Sequence, residues 1–292
     1  MKYLLMREFI RWKKQFFIDL VTAIALPLIS VLIYSGLSNY TIQAMEWLYS
    51  MPGDLHNFLG IKRRVNADNV TFYLVAAYSI EVFVITWRSC VRVVDSFWND
   101  EWNGSIFFIC GQMYSRSMIY AAKLICAVAG VISTYICMGI TISICISNDM
   151  GKHTQSVNAA DLWPRFGLAV VVTIMLVSIM ALYAARAHAN MEAGGVWLAE
   201  VLLLGSLILG NIYKFVNAFN VLLSINGKDS GGIDRLTEGL KGLYMMSPLS
   251  WCNVNPGKPV GSLIVQLVIC TVIICITSFF GILGYRKRRF VE

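Results

Sequence analysis

The stretch 95-DSFWNDEWNGSIFFICGQMYSRSMIYAAK-123 lies between the second and third long apolar runs of this chain. It contains three acids, two tryptophans and a basic end, whereas the runs on either side of it are apolar. A segment of this composition meets water or another protein more readily than lipid. We therefore expect the apolar runs to be arranged around one polar connection, residues 95–116.

The composition of the whole chain indicates a membrane protein. Hydrophobic residues make up 57% of its 292 residues, charged residues only 14%, and the mean hydropathy is +0.64. A soluble domain has about 25% charged residues, so lipid must solvate much of this surface. The formal charge of +7 is explained if basic residues gather at the cytoplasmic ends of spans, as they do in membrane proteins. No basic run is interleaved with aromatic residues on a soluble face, and we expect no nucleic-acid binding.

Six apolar runs are each near the roughly 20 residues that cross a bilayer core. They predict an all-α membrane protein with one transmembrane domain, residues 1–292. The predicted spans are residues 16–37, 70–94, 117–146, 162–185, 194–213 and 261–285.

Residues 1–15 form an amphipathic segment before the first span. Leu5, Phe9, Trp12 and Phe16 recur on one side of a helix, with arginine and lysine on the opposite side. This pattern predicts an in-plane interfacial helix whose cations face anionic headgroups. The alternative is that the segment is only the charged start of the first span.

The distribution of Lys and Arg predicts that both termini are cytoplasmic, in the plasma membrane. The N-terminal segment and the tail, residues 286–292, are strongly basic, and an even number of spans puts them on the same side. Two long connections, 41–69 and 224–260, would then face outward. The second has Ile233, Leu236, Leu240 and Leu243 at helical spacing, which predicts a short outer-leaflet helix before the sixth span.

Ionisable residues inside the predicted spans are candidates for function. Glu81, Arg88, Arg92 and Asp95 share one face of a helix, and Glu81 is near the middle of the second span. An intramembrane carboxylate costs a few kcal/mol and marks a cavity or a paired interior site. We expect Glu81 and Arg88 to border a translocation path or a subunit interface; the alternative is a structural Glu81–Arg88 pair. Glu200 in the fifth span is a further candidate.

The polar connection has the features of a docking surface. Asp100 and Glu101 fall on a side of the membrane where cations dominate, so they would favour a basic groove on a partner. Trp98 and Trp102 are four residues apart and predict an aromatic ridge. The alternative is an interfacial helix with its tryptophans among lipid headgroups.

The helical boundaries of the connection can also be predicted. Asp95 or Ser96 can cap a helix that Gly104 ends. Lys123, seven residues after Arg116, is expected to snorkel along its helix toward water.

The chain has no motif for nucleotide binding or catalysis. None of its Gly-Lys pairs is followed by Ser or Thr, so the phosphate-binding loop GxxxxGK[ST] is missing. His56, His153 and His188 fall in different connections, and the cysteines have no metal-ligand spacing. We expect no enzyme activity, no metal and no cofactor in this chain; any ATP it uses is bound by another polypeptide.

Several motifs, in order, resemble the membrane-spanning subunit of ATP-binding-cassette transporters of the ABC-2 type. They are LLMREFIRWKKQFF at 4–17, MPGDLHNFLGI at 51–61, SPLSW at 247–251 and YRKRR at 285–289. The inner loop resembles the family pattern of an acid, a Gly-Thr, a Ser-Arg and a lysine, here Glu101, Gly104-Ser105, Ser115-Arg116 and Lys123. The family usually has a proline shortly before the Ser-Arg, and Met113 stands there instead.

The resemblance implies an exporter of a peptide, antibiotic or lipid-like compound. It implies two permease halves, identical or different, and separate ATPase subunits that bind ATP and Mg. It also implies that Arg116 belongs to the coupling loop and that the second and fifth spans border the path, which adds to the interest of Glu81 and Glu200. Two alternatives remain open: a non-transporting sensor or scaffold bound to an ATPase, and an ATP-independent channel or carrier, which inverted repeats would favour.

Overall fold

The structure, a computed structural model, is almost entirely helical in the part of the chain that it describes. It describes residues 1–49, 70–111, 114–149, 159–187, 194–205 and 260–287, with 208, 212, 216, 235, 236, 238–240, 251 and 252. The main helices there are α1 (Lys2–Tyr49), α2 (Val70–Trp102), α3 (Ser105–Gly111), α4 (Arg116–Asp149), α5 (Ala159–Arg186), α6 (Gly194–Gly205) and α7 (Val260–Lys287).

Among the described residues, four helical segments are long and apolar enough to cross a membrane. They are Lys2–Leu32, Arg116–Ser147, Trp163–Arg186 and Leu263–Lys287, and they overlap the first, third, fourth and sixth predicted spans. The second and fifth spans stay predictions. The 33 residues of α2 reach about 50 Å at 1.5 Å per residue, and α6 covers part of the fifth. The outer-leaflet helix and the MPGDLHNFLGI segment fall largely or wholly outside the described residues.

The N-terminal segment differs from the expectation. A single helix runs from Lys2 to Tyr49, with Pro27 inside it, so no helix boundary separates residues 1–15 from the first span. Trp12 and Phe16 are buried against the bundle, while Phe9 is exposed. The arginines that were expected to face lipid headgroups, Arg7 and Arg11, contact an acid of α2 instead.

One end of the bundle gathers the beginnings of α1 and α4 and the ends of α2 and α7. Arg7 of α1 contacts Asp100 of α2. Phe97 of α2 packs on Tyr120 of α4 and Tyr285 of α7, with ring centroids 5.7 and 5.3 Å apart. We call this the polar end. It is the end that the sequence predicts to be cytoplasmic, and the two termini of the described chain lie at it together.

The core is held together by small residues at helix crossings. α5 packs against α2, α4 and α7 through buried residues that include Ala169, Ala181 and Ala184. Where α1 crosses α4, the ring of Phe16 occupies the space that a side chain at Gly130 would fill. Small residues let helix axes approach closely, as they do in membrane bundles.

Large apolar side chains cover the outside of α1 and α7. Phe17, Leu32 and Phe279 are exposed by 68, 67 and 60%. Exposed apolar side chains of this size and number are compatible with contact to lipid.

Candidate functional site

A buried carboxylate joins four helices at the polar end. Oδ1 of Asp100 accepts hydrogen bonds from Arg7 Nη2 and Arg11 Nη1, both at 2.8 Å, and from Ser105 Oγ at 2.9 Å. Its Oδ2 accepts a short hydrogen bond from Lys123 Nζ. These partners come from α1, α3 and α4, so one side chain near the end of α2 ties the polar connection to two long helices.

Lys123 is the cation at the centre of this cluster. Its side chain is only 1% exposed, and its ammonium donates to the backbone oxygen of Ser96 at 2.6 Å and to Ser96 Oγ at 2.9 Å. A second acid, Glu8 of α1, lies 3.6 Å from Lys123 Nζ and accepts a hydrogen bond from Ser96 Oγ at 3.3 Å. All three donors of the ammonium therefore have acceptors. The expectation that Lys123 snorkels to water is wrong.

The charge state of Asp100 follows from its surroundings. Burial would raise the pKa of this carboxyl, but Lys123, Arg11 and Arg7 act in the opposite direction and hold the pKa well below its usual range. Asp100 is therefore ionised at neutral pH and acts as the counter-ion of a buried lysine and two partly exposed arginines.

A second ionic cluster lies further along α1 and α2. Asp19 of α1 is 3.0 Å from Arg88 Nε and forms a short ion pair with Arg92. The guanidinium of Arg92 also lies 5.6 Å from the ring centroid of Trp12 and 5.3 Å from that of Phe16, which are favourable cation–π positions. Arg88 thus pairs with Asp19, and the alternative of a Glu81–Arg88 pair is wrong.

The helix end at Gly104 agrees with the prediction. α2 ends at Trp102, Gly104 has a φ of 65°, and α3 begins at Ser105. Glycine adopts this left-handed conformation without the steric penalty of a Cβ, which is why it commonly ends helices. The predicted start of a separate helix at Asp95 or Ser96 is wrong because α2 continues unbroken through both residues.

The two tryptophans of the polar connection form a ridge. The rings of Trp98 and Trp102 stack with centroids 5.4 Å apart and an interplanar angle of 24°. Trp102 is 74% exposed, and Trp98 is half-buried against the core. An exposed aromatic side chain supported by a second one is the kind of anchor found at protein interfaces.

The predicted docking acids occupy different environments. Asp100 was expected on the surface, but it is buried and neutralised by cations of its own chain, so it cannot present a free carboxylate to a partner. Glu101 and Asp95 are half-buried, as are Arg116 at the start of α4 and Glu200 in α6. The structure brings Asp100 and Gly104 together with α3, but Glu200 belongs to a different helix.

Sequence reasoning missed the acids of α1. Asp19 falls inside an apolar run and Glu8 inside a basic segment. The signal that could have found them is the rule that charges in membrane segments pair with one another. This rule calls for buried anions as partners of Arg88, Arg92 and Lys123. Helix α1 carries two such anions, the acids just named.

Glu81 is placed apart from both ionic clusters. It is 1% exposed, and within the described part of the chain neither of its carboxylate oxygens has a hydrogen-bond partner. The same described residues contain no group of three or more His, Cys, Asp or Glu that could hold a metal ion.

No protein-family model matches the chain, and no curated protein matches it either.

Proposed function

We propose that this chain is the permease subunit of an ABC-2 type transporter in the plasma membrane. In this proposal two permease halves form the path for export of a peptide, antibiotic or lipid-like compound, and separate subunits bind ATP and Mg and hydrolyse the nucleotide. The observation that carries the proposal is the ionic connection at Asp100, which links the polar connection to α1 and α4. The order of motifs that resembles the family supports it.

The geometry is suited to transmitting force. A partner that moves the ridge of Trp98 and Trp102 moves the end of α2, because both residues belong to that helix. Asp100 then carries the displacement to Arg7, Arg11 and Lys123 through charge-assisted hydrogen bonds, which are about twice as strong as neutral ones. Long helices that are joined in this way turn a local push into a movement of the membrane bundle.

The docking surface in this proposal differs from the one that sequence alone suggested. The exposed element is Trp102, stacked on Trp98, with Glu101 beside it. Asp100 lies beneath this surface and holds it in place. Charge reversal at Asp100 would therefore disturb the fold of the polar end and is not a clean test of docking.

The test is a paired substitution of the ridge. Trp98→Ala with Trp102→Ala, in the full-length protein expressed in its native host, should abolish co-purification of an ATPase and ATP-driven export. Trp163→Ala is the matched control, since that indole is 42% exposed near the start of α5, at the opposite end of the bundle from the ridge. Unfolding should be measured for all variants, so that loss of the partner is not confused with loss of the fold.

Two outcomes would argue against the proposal. If no nucleotide-hydrolysing subunit co-purifies with the unaltered protein, the ABC-2 assignment fails. If an ATPase binds through the ridge but no compound crosses the membrane, the sensor or scaffold alternative replaces transport.

A further inference from the structure

Glu81 is buried in α2, and the described residues include no ion-pair partner for it. The ionic clusters hold Asp19 and Asp100, and Glu81 belongs to neither. Its oxygens have no hydrogen-bond partner in the described residues, and the residue is 1% exposed. A carboxylate in this position needs a physical explanation.

Neutral polar contacts flank Glu81 along the axis of α2. About 4.5 Å before it along the axis, Tyr78 donates a hydrogen bond to the backbone oxygen of Arg165 in α5 at 3.5 Å. About 7.5 Å after it, the hydroxyls of Thr86 and Thr173 are 2.9 Å apart, and Tyr135 of α4 lies 2.9 Å from Thr173. Along the axis of α2, Glu81 therefore lies between two sets of polar contacts that join α2 to α5.

The titratable groups around this position are mostly neutral. Tyr135 is close enough to interact electrostatically with Glu81, and Cys252 interacts in the same way with Tyr78 and Tyr135. The cations on the neighbouring elements are engaged elsewhere. Arg88 pairs with Asp19 of α1, and Arg165 interacts with Tyr78 at the other end of the seam. Among the described residues, neither forms an ion pair with Glu81.

An ionised carboxylate cannot persist in such a place at low cost. Burying one ion without a partner costs several kcal/mol even after the protein relaxes, whereas a protonated carboxyl is a neutral group with a much smaller penalty. Hydroxyl contacts nearby do not supply the missing positive charge. The neutral, protonated acid is the form that fits the structure.

We propose that Glu81 is a proton-binding site. In the closed bundle the carboxyl holds a proton at neutral pH, and it releases the proton to water when α2 and α5 separate. The O–H bond breaks heterolytically, and the proton goes to a water molecule that enters the opened seam. This inference does not depend on an ATPase partner, because it rests on burial and on the contacts of α2, α4 and α5.

The test compares infrared spectra of the unaltered full-length protein and of its variants, each in lipid at neutral pH. The C=O stretching band of a protonated carboxyl should be present in the unaltered protein and lost in Glu81→Gln. It should persist in the control Glu200→Gln, whose carboxyl is half-buried in α6. If the spectrum of Glu81→Gln retains the whole band, or if the unaltered protein has no such band, the proposal is overturned.

A second measurement does not depend on a variant that folds. A hydrophobic carbodiimide reacts with protonated carboxyls, so at neutral pH it should label Glu81 of the unaltered protein, as mass spectrometry of peptides would detect. Labelling of other acids with Glu81 unmodified would refute the proposal.

A third measurement is the thermal stability of Glu81→Gln. It should equal or exceed that of the unaltered protein, because a neutral amide replaces a neutral acid; a marked loss would instead indicate an ionised Glu81 with a partner.

Discussion

Replacement of Asp100 by asparagine tests whether the polar end is held by ionic contacts. The substitution keeps the shape of the side chain and one acceptor oxygen but removes the charge that neutralises Lys123, Arg7 and Arg11. We expect it to destabilise the protein strongly, even though it only replaces one carboxylate oxygen by an amide nitrogen. It should also loosen the contact of α1 and α4 with the end of α2.

The magnitude follows from the exposure of the partners. The side chains of Asp100 and Lys123 are both 1% exposed, and removing one member of a buried ion pair costs about 3–5 kcal/mol. Arg7 and Arg11 are 36 and 27% exposed, so solvent screens their contacts, which add at most about 1 kcal/mol. Lys123 keeps its bonds to Ser96, and we therefore expect about 3 kcal/mol, the low end of the range.

A double-mutant cycle separates the ion pair from general damage. Asp100→Asn and Lys123→Met should each lower the free energy of unfolding, whereas the double variant should lose much less than the sum, because the buried lysine and the carboxylate that pairs with it are removed together. The assay is unfolding in mixed micelles with increasing denaturing detergent, with Trp102→Ala as an exposed control at the same helix end. If the two effects are additive, or if each is below about 1 kcal/mol, the description of Asp100 as a buried ionic link is refuted.

Three other expectations concern the same bundle. The pKa of Asp100 in the folded protein is lowered below its unfolded value of about 3.9. The ionised carboxylate therefore stabilises the fold fully above about pH 3.9, and this contribution is lost as the pH falls below that value. In a scan of unfolding free energy against pH, Asp100→Asn should consequently lose less stability at the acid end than the unaltered protein. Gly130→Ala places a methyl group against Phe16 and should lower the free energy of unfolding by about 1–3 kcal/mol. Gly167→Ala has open space around it and should raise the free energy of unfolding by about 0.5–1 kcal/mol. Thermal unfolding measures both. Asp19→Asn leaves a buried arginine unpaired, and faster cleavage of α1 by protease should report the loosened helix.

The long apolar helices were predictable where hydropathy alone decides them. Four of the six predicted spans correspond to helices that are long and apolar enough to cross a membrane. The end of α2 near Gly104 was also predictable, since glycine at a positive φ is a local signal. The continuity of α1 was not predictable, because an amphipathic segment followed by an apolar run fits a separate in-plane helix and one continuous helix equally well.

The candidate site was predictable only in part. Helical periodicity reports which residues share a face, and of the four charges that it grouped on α2 the structure pairs Arg88 and Arg92 with the same acid, Asp19. It does not report what the face meets. Asp100 was assigned to the surface because its cations, Arg7 and Lys123, are distant in sequence and come from two other helices. Burial and pairing are tertiary properties, and a pattern within one helix cannot supply them.

The polar contacts of α2 differ in kind along the helix. Toward the polar end, Arg88, Arg92 and Asp100 are fixed to α1 and α4 by charge-assisted bonds. Around Glu81 the links to α5 are neutral hydroxyl contacts, each contributing about 1 kcal/mol net. A force applied at the polar connection should therefore move the polar end as one unit. We expect any separation of α2 from α5 to begin near Glu81, where the described residues provide no ionic link between the two helices. The ridge, the ionic cluster and the proton site would then act in sequence along a single helix.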